Sequence, residues 1–387
     1  MLYTRVLKKH GWVASKVMAG IFHHKDPSGT CGCHGDDFLA EGGNALLDKL
    51  DNIMSQEFEA KLLGRVGCGQ LAEAKSLKRT LRWHEEEASF TWSGGVQYVE
   101  ELVTVMGLEN DRAVTKVTKT PGTKATGASA RDALELVNDC EAGTYKTAVG
   151  MIGYIVLDRP ECQYSAKEVM SMVRGPRKLD WMRLVRMTKF LASHPELEWV
   201  FEAQDMPTKF VVYGDSDWAG GESRRSTSGT AEVLGKHTLE FSCSTQHVIA
   251  LSSGEAELYA TGRAAAGGLQ TVQLLHEAGL PLELEVLTDS TANLGMHGRK
   301  GSGKVRHLEV RWLWTQEAVQ AKRFALKKVS TDTNISDLTT KYHDEQRLVE
   351  LLRLAGLRFS RGLIISSLLA AGAEGAKTRR ASATMAT

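Results

Sequence analysis

The sequence predicts an α+β domain with a mixed sheet in the C-terminal half of the chain, and three observations support this prediction. Three strand-like runs, KFVVYGDS, TSGTAEVLG and TLEFSCST, follow one another from Lys209 onward with only turn residues between them. A long helical pattern then separates them from a fourth run, LELEVLTDS. Further helical patterns flank a fifth run, FALKKVS. Five strands with helices at these places are typical of an α+β or mixed-sheet domain.

Acidic residues stand at the ends of these predicted elements. The apolar, β-branched run KFVVYGDS ends in Asp215 and Asp217, and a buried strand can deliver a carboxylate at its C-terminal end, where a site can open. Glu257 stands near the start of the long helix, Asp289 ends the fourth strand, and Asp337 lies in the short helical motif NISDLTTK. Four acids on two strand ends and two helices are what a two-magnesium phosphodiester site requires.

Spacing decides which glutamate of the long helix faces the site. Glu255 and Glu257 are two positions apart and therefore point about 200° apart on a helix, so only one can face the metals. Ser252 and Glu255 have the spacing of a capping box, which leaves Glu257 for the site. We give Asp217 a supporting role, because it shares a face with Asp215 only if the strand continues that far.

The first part of the chain alternates short apolar runs with glycine-rich breaks. Apolar spacing predicts helices in LLDKLDNIMSQEFEAKLL and in VQYVEELVTVMGL, the second ended by Gly107. TLRWHEEEASFTW predicts two strands joined by a polar turn, and HGDDFLA predicts a hairpin with a carboxylate at its tip. Residues 115–131, rich in Thr, Lys and Gly, predict an exposed linker.

A mostly helical stretch joins the two halves. Two segments between Tyr145 and Phe201 carry apolar stripes at helical spacing, and Pro195 closes the second. The C-terminal sequence AAGAEGAKTRRASATMAT is of low complexity and predicts disorder. We therefore divide the chain into residues 1–140, a helical connection segment over 141–207, the mixed-sheet domain over 208–358 and a disordered tail over 359–387.

Composition excludes some classes of protein. The net charge of +1 gives no overall basic field, so a nucleic-acid-binding surface must be local. Six cysteines without paired spacing favour a reducing compartment over a disulfide framework. No apolar run reaches the roughly 18 residues that a membrane span needs, and the N-terminus lacks the apolar core of a secretory signal. We expect an intracellular protein, cytoplasmic or nuclear, without a membrane partner.

Six motifs occur in the C-terminal half in a fixed order: YGDSDWAG, RRSTSGT, ALSSGEAELYA, TDSTAN, RHLEVRWLWTQE and NISDLTTK. Together they resemble the RNase H domain of copia-type retrotransposon polyproteins over residues 209–357. The resemblance implies an RNase H-like mixed five-stranded sheet with flanking helices. It also implies an enzyme that cuts the RNA strand of an RNA–DNA hybrid with two Mg²⁺ ions, or with Mn²⁺ in their place.

The resemblance also assigns roles to the four acids. Carried over by position, Asp215 becomes the strand-end acid that bridges both metals and Glu257 the acid of the helix. Asp289 becomes the second strand-end acid, and Asp337 the last acid, on the far helix. All four are therefore expected to be catalytic metal ligands. Each of them taken alone is more often a turn or cap residue, so the prediction rests on the set.

Nucleic-acid contacts are expected beside the acids. The resemblance favours Arg224 and Arg225 as phosphate contacts over a solvated pair of charges. A preference for RNA requires groups that sense 2′-hydroxyls. The candidates are backbone and side-chain groups near Ser226 to Gly229, Ser228 among them, the Glu257 end of the long helix, and Asn293. The alternative for Asn293 is that it only caps its helix.

The upstream region resembles the C-terminal part of a copia-type reverse transcriptase. HGDDFLA is similar to the paired-Asp hairpin of the polymerase palm, which makes Asp36 and Asp37 vestigial polymerase acids. The helical segments resemble the region that joins polymerase to RNase H. Residues 1–140 would be a palm remnant with a thumb-like region, and the palm's first metal-binding Asp should lie before Asp36, where only 35 residues stand. We therefore expect no polymerase activity from this chain alone, and a partner in the missing part of the polyprotein.

A cysteine- and histidine-containing segment offers a zinc alternative. Cys31, Cys33 and His34 follow His23 and His24. A single C-x-C is not a standard zinc-finger spacing, and no second cysteine pair follows at a useful distance. Zinc is the minority hypothesis for this segment.

Two functions from different classes follow from the sequence. The first is a metal-dependent endonuclease acting on RNA–DNA hybrids within a retrotransposon-derived Pol protein, favoured by the presence of all four acids. The second is a decayed transposon fragment that folds and binds nucleic acid without cleaving it, favoured by the incomplete polymerase.

Overall fold

A computed structural model describes residues 2–109, 117–124, 135–221, 223–301 and 310–361. We number the elements in chain order. The helices are α1 (Leu2–Lys9), α2 (Asn44–Glu57), α3 (Val96–Val105), α4 (Asp139–Ile155), α5 (Pro160–Ser171), α6 (Lys178–Ser193), α7 (Ser253–Glu277), α8 (Thr291–His297), α9 (Trp314–Gln320) and α10 (Glu345–Leu354). The strands are β1 (Val13–Ala14), β2 (Ile21–Lys25), β3 (Ser28–His34), β4 (Asp37–Gly42), β5 (Glu73–Ser76), β6 (Arg79–His84), β7 (Ser89–Ser93), β8 (Glu196–Glu202), β9 (Lys209–Asp217), β10 (Thr227–Leu234), β11 (His237–Thr245), β12 (Glu283–Thr288), β13 (Ala325–Lys328) and β14 (Leu357–Arg361).

The predicted mixed five-stranded sheet is confirmed. Its strand order is β11-β10-β9-β12-β13. The three consecutive strands β9, β10 and β11 pair antiparallel, with a loop over 218–226 between the first two and a short turn between the last two. Strands β12 and β13 run parallel to β9, and helices precede both of them. The two parallel neighbours β9 and β12 therefore end at the same edge of the sheet.

Side chains that alternate along β9 pack against neighbouring elements on both faces of the mixed sheet. Phe210 and Val212 pack with α7 and α9 in one apolar cluster. Val211 and Tyr213, which point the other way, pack against a second cluster formed by α3 to α6 and by the sheet β14-β8-β7-β6-β5. This second cluster is continuous across residue 208, so the connection segment shares its core with the mixed-sheet domain. The division of the chain into four domains stays a prediction.

A separate antiparallel sheet, β1-β2-β3-β4, forms the N-terminal part of the chain. Helices α1 and α2 enclose its small core, which includes Leu7, Trp12, Phe22 and Leu46. The predicted HGDDFLA hairpin is present: β3 and β4 pair through the turn at Gly35, whose φ of +60° suits glycine.

Most predicted elements are confirmed, and three expectations need correction. Residues 302–309, whose last four open the motif RHLEVRWLWTQE, lie outside the described residues, as do residues 362–387 of the expected tail. The tail was predicted to begin at 359, but Phe359 belongs to β14, which pairs with β8, and its ring packs edge-on against Phe190. The linker over 115–131 is not wholly exposed, because Thr120 is buried and accepts a hydrogen bond from Arg186.

The third correction concerns the start of α7. Ser252 caps the helix by accepting from the Glu255 backbone, as the capping box predicts. The reciprocal bond differs: Glu255 accepts from the Leu251 N–H and from the Tyr259 hydroxyl. Glu255 is thus held away from the site, as expected, but its donors are Leu251 and Tyr259 rather than the Ser252 N–H. Within the described ranges, no helix combines the length and apolar character that crossing a membrane demands.

Candidate active site

Three of the four predicted acids converge at the edge where β9 and β12 end. Asp215 lies near the end of β9, Asp289 directly follows β12, and Glu257 reaches the same point from the second turn of α7. One carboxylate oxygen from each of the three lies within 4.8 Å of the others. Across the described ranges, this is the one group of three or more His, Cys, Asp or Glu side chains placed to share a metal ion.

Glu257 is fixed through one oxygen and open at the other. Ser216, the residue after Asp215, donates to Glu257 Oε1 from its hydroxyl at 2.9 Å and from its backbone N–H at 3.2 Å. Glu257 Oε2 is buried and has no hydrogen-bond partner among the described residues. A buried carboxylate oxygen without a donor is costly, and a bound cation would satisfy it.

The other two acids are also held by neighbouring hydroxyls. Thr331 Oγ1 donates to Asp289 Oδ2 at 2.9 Å. Thr340 Oγ1 donates to Asp215 Oδ2, and Asp215 is only 2% exposed. Such bonds fix the orientation of the carboxylates before any ligand arrives.

Asp337 lies beside the group without joining it. It sits in the short 3₁₀ helix Ile335–Thr339 and is 3% exposed. The ammonium of Lys341 stands between the two acids, with Nζ 2.8 Å from Asp337 Oδ1 and 3.7 Å from Asp215 Oδ2. Asp337 is therefore linked to the group through a lysine.

Gly229 lets this 3₁₀ turn approach the strands. It pairs with Asp215 across β9 and β10. A Cβ at Gly229 would overlap Thr339 Oγ1 and lie 2.5 Å from Thr340 Cγ2. The missing side chain is what allows Thr340 to reach the Asp215 carboxylate.

Two of the clustered carboxylates, Asp215 and Glu257, have raised pKa values. Burial raises the pKa of Asp215 well above its ordinary value, opposed by Lys341 and reinforced by Glu257 and Asp337. Burial also raises the pKa of Glu257 to about 7, with the Asp289 charge adding to the effect. Burial acts to lower the pKa of Lys341, but Asp215 and Asp337 outweigh it and raise that pKa. Lys341 offsets only part of the negative charge, and a divalent cation would supply more positive charge.

Asp217 serves the strand rather than the acid group. Its strand does continue through residue 217, yet its oxygens accept from the Thr227 N–H at 2.5 Å and from the Tyr164 hydroxyl at 2.8 Å. These partners belong to α5 and β10, so Asp217 attaches the end of β9 to both elements.

Three of the predicted nucleic-acid contacts have buried side chains. Asn293 has no exposed surface, and its amide donates to Thr261 at 2.5 Å. It is not the helix cap either, since Ser290 caps α8 by accepting from the Asn293 N–H. Ser226 and Ser228 are 0% and 3% exposed. Ser226 immediately precedes β10 and accepts from the Ala219 N–H, and Ser228 lies within β10, where it pairs with Ser216 of β9. A buried side chain cannot meet a nucleic acid in this conformation.

Exposed side chains near the acid group remain available. Arg224 and Arg225 are exposed in the loop between β9 and β10. Trp218, just after β9, is 53% exposed, and its indole N–H donates to the Ala250 carbonyl at 3.0 Å. Leu251, which is 64% exposed, follows Ala250 in the loop before α7. This exposed Trp218 and its neighbouring loop were not predicted from the sequence.

Local spacing points to some of the other site residues that were not predicted. Lys341 stands four positions after Asp337, a spacing at which side chains on a helix meet. Ser216 directly follows the first acid. Tyr164 lies 53 positions before Asp217, and nothing in local spacing points to it.

The arrangement of side chains in the described residues supports neither a polymerase metal site nor the zinc alternative. Asp36 and Asp37 are exposed on their hairpin. Neither they nor Cys31, Cys33 and the nearby histidines belong to a metal-ligating group of three in the part of the chain that the structure covers.

Sequence comparison identifies relatives over most of the chain. No protein-family model matches. The chain is 24% identical over 330 residues to the retrovirus-related Pol polyprotein from transposon TNT 1-94 of Nicotiana tabacum, covering 83% of this chain and 24% of that protein. It is 24% identical over 317 residues to the Pol polyprotein from transposon RE1 of Arabidopsis thaliana, covering 79% and 20%. The chain thus spans about a quarter or less of these relatives.

A shorter relative matches more closely. The secreted RxLR effector protein 161 of Plasmopara viticola is 34% identical over 122 residues, which are 31% of this chain and 85% of that protein.

Solved structures give weaker similarities. A foamy viral protease-reverse transcriptase in complex with dsDNA has a TM-score of 0.43 at 9% identity, covering 78% of this chain and 55% of that one. LC11-RNase H1 in complex with an RNA/DNA hybrid has a TM-score of 0.23 at 18% identity, covering 33% and 88%. At such scores the fold assignment rests on the sheet topology itself. The chain is a homologue of the copia-type retrotransposon Pol polyproteins and contains an RNase H-like domain with a candidate carboxylate site for a divalent metal.

Proposed function

We propose that the chain is a metal-dependent endonuclease that hydrolyses the RNA strand of RNA–DNA hybrids, as part of a retrotransposon-derived Pol protein. The observation that carries the proposal is the convergence of Asp215, Glu257 and Asp289 within 4.8 Å, with Glu257 Oε2 buried and unpartnered. Hydrolysis of a phosphodiester by divalent metals needs such a group of carboxylates at an accessible edge.

The donor set fits hard divalent cations. All the ligands are carboxylate oxygens, which Mg²⁺ and Mn²⁺ prefer. Asp215, Glu257 and Asp289 would hold the metal, and Asp337 is proposed as a fourth ligand. Bound divalent metal would polarise the scissile phosphate and favour deprotonation of the attacking water.

The chain's own residues prepare the site. Ser216, Thr331 and Thr340 orient the three carboxylates by donating to one oxygen of each. Lys341 balances part of the negative charge beside Asp215 and Asp337. For Asp337 to act as a ligand, the Lys341 ammonium has to move away from the Asp337 carboxylate.

Substrate contact is proposed through the exposed groups around the site. Arg224 and Arg225 would contact phosphates, and Trp218 offers an aromatic face for a sugar or base. Because Ser226, Ser228 and Asn293 are buried, recognition of 2′-hydroxyls falls to the exposed start of α7, where Ser253 lies.

The second candidate is a fragment that binds nucleic acid without cleaving it. It is favoured by the ion pair of Lys341 with Asp337, which keeps the fourth acid out of the metal-ligating group. In the described ranges, no metal-ligating group of three lies around Asp36 and Asp37, which is consistent with both candidates.

Cleavage of a labelled RNA–DNA hybrid, with Mg²⁺ or with EDTA, tests the proposal. We expect Mg²⁺-dependent cleavage that Asp289→Asn abolishes while hybrid binding persists. Asp205→Asn, at an exposed acid outside the site, is the matched control and should cleave as wild type. Hybrid binding by the wild type without cleavage in Mg²⁺ or Mn²⁺ would establish the second candidate instead.

A further inference from the structure

The connection helix α5 contacts the two elements that carry Asp215 and Asp337. Tyr164, in the middle of α5, is 6% exposed, and its hydroxyl donates to Asp217 Oδ2 at 2.8 Å. Asp217 lies two residues after Asp215 on the same strand. On its other side, the Tyr164 ring packs edge-on against Tyr342, with ring centroids 4.9 Å apart. Tyr342 directly follows Lys341.

The bond to Asp217 is part of a tight local structure. Asp217 Oδ1 accepts from the N–H of Thr227, its register partner on β10. Lys167, one turn after Tyr164, donates to Thr227 Oγ1 at 2.6 Å and lies 4.2 Å from the Tyr164 ring centroid. The end of β9 and the start of β10 are therefore attached to one face of α5.

A glycine makes room for this contact. A Cβ at Gly220 would overlap the Asp217 carboxylate and lie 3.4 Å from the Tyr164 hydroxyl. Burial raises the pKa of the Tyr164 phenol, with the Asp217 charge contributing, so the hydroxyl stays protonated and remains a donor.

We infer that Tyr164 is a positioning residue for the metal site, which it reaches from the connection segment through Asp217 and Tyr342. It fixes the end of the strand that carries Asp215 relative to the turn that carries Asp337 and Lys341. The inference rests on the proposed function, since it concerns the same carboxylate group. It predicts that the helical connection, outside the mixed sheet, helps to set the metal affinity.

The test compares two tyrosines of the connection segment. Tyr164→Phe keeps the ring packing and removes the bond to Asp217. Tyr145→Phe, on α4, removes a bond of similar burial to the Val169 carbonyl, far from the acids in sequence and on the apolar core of the helices. Both variants should lose similar stability in thermal melts, so melting controls for a structural effect.

The informative measurement is Mn²⁺ binding to the protein without substrate, by calorimetry, together with the Mg²⁺ dependence of hybrid cleavage. We expect Tyr164→Phe to raise the Mn²⁺ dissociation constant about tenfold, in line with losses of groups that orient metal ligands. At saturating metal its cleavage rate should recover most of the wild-type value. Tyr145→Phe should bind Mn²⁺ as wild type.

A second variant covers a failure of Tyr164→Phe to fold. Asp217→Asn can accept from Tyr164 only by turning its NH₂ towards the Thr227 N–H, so it should also weaken Mn²⁺ binding. Because both residues act through one contact, the double variant should raise the Mn²⁺ dissociation constant by a smaller factor than the product of the two single-variant factors. If the wild-type protein binds Mn²⁺ and cleaves the hybrid, and both Tyr164→Phe and Asp217→Asn bind Mn²⁺ with wild-type affinity, the inference is overturned. The proposed function would remain intact. A wild-type chain that neither binds Mn²⁺ nor cleaves would overturn both.

Discussion

The Ser216 hydroxyl lies 2.9 Å from Glu257 Oε1, which joins the strand that carries the first acid to the helix that carries the second. The Ser216 N–H donates to the same oxygen, so Glu257 keeps its other oxygen free. Ser216 thus aligns Glu257 with the neighbouring Asp215.

Removal of that hydroxyl should weaken the metal site. Ser216→Ala leaves Glu257 with the backbone donor alone, and we expect the Mg²⁺ concentration for half-maximal cleavage to rise about tenfold. Ser242→Ala removes a hydroxyl that bonds Thr230 elsewhere in the same sheet, and serves as the control. An unchanged Mg²⁺ requirement in Ser216→Ala would show that the backbone donor is sufficient.

The raised pKa of Glu257 predicts how stability depends on pH without divalent ions. A glutamate has a pKa of about 4.3 in the unfolded chain, whereas burial raises it to about 7 here. Between these values the folded state holds a proton that the unfolded state has lost, so stability falls as pH rises and the loss is complete above pH 7. Below the unfolded pKa both states are protonated and the effect vanishes.

Glu257→Gln should therefore be more stable than wild type at pH 8 in EDTA, by on the order of 2 kcal/mol, and similar to it near pH 4. Urea unfolding at the two pH values measures the difference. Saturating Mg²⁺ should stabilise wild type but not the variant. Equal stability of the two proteins at pH 8 in EDTA would contradict the burial of an unpaired charge at this position.

The close approach at Gly229 predicts a strong effect of one methyl group. Gly229→Ala would push Thr339 and Thr340 away from β10, because the added Cβ has no room. We expect a loss of about 1–3 kcal/mol in the free energy of unfolding, together with a loss of cleavage. Chemical denaturation and the hybrid assay measure the two effects.

Gly143→Ala is the matched control. Gly143 lies exposed in α4, and its Cβ would meet nothing within 4 Å. Alanine favours the helix, so this variant should gain up to about 1 kcal/mol and cleave as wild type. Similar losses in both variants would mean that the Gly229 contact is not specific.

The exposed arginines should act on binding rather than on catalysis. Arg224→Ala and Arg225→Ala should each weaken hybrid binding and lower the slope of log K against log salt concentration by about one. Arg353→Ala, at an exposed arginine on α10, should change neither. Fluorescence anisotropy with a labelled hybrid at several salt concentrations measures the slope, and an unchanged slope in both variants would remove these arginines from the binding surface.

The sequence by itself determined the order of strands and helices along the chain in the mixed-sheet domain and the positions of the acids. Local pattern suffices for this, because Asp215 and Asp289 end apolar, β-branched runs and Glu257 follows a capping motif. Parallel pairing of two such strands places their ends together, so the convergence of these acids follows from the order of elements.

Only the tertiary structure decided which polar side chains face solvent and which are held inside. The motifs around Asn293, Ser226 and Ser228 are polar and suggest exposed side chains. Packing against neighbouring elements, α7 and β9 among them, nevertheless buries these side chains. Phe359 belongs to a strand whose partner, β8, lies about 160 residues earlier in the chain, so local sequence does not indicate the pairing. The contact of Tyr164 with Asp217 spans 53 residues. Such contacts depend on how distant segments pack together, and the local periodicity of a sequence does not predict that packing.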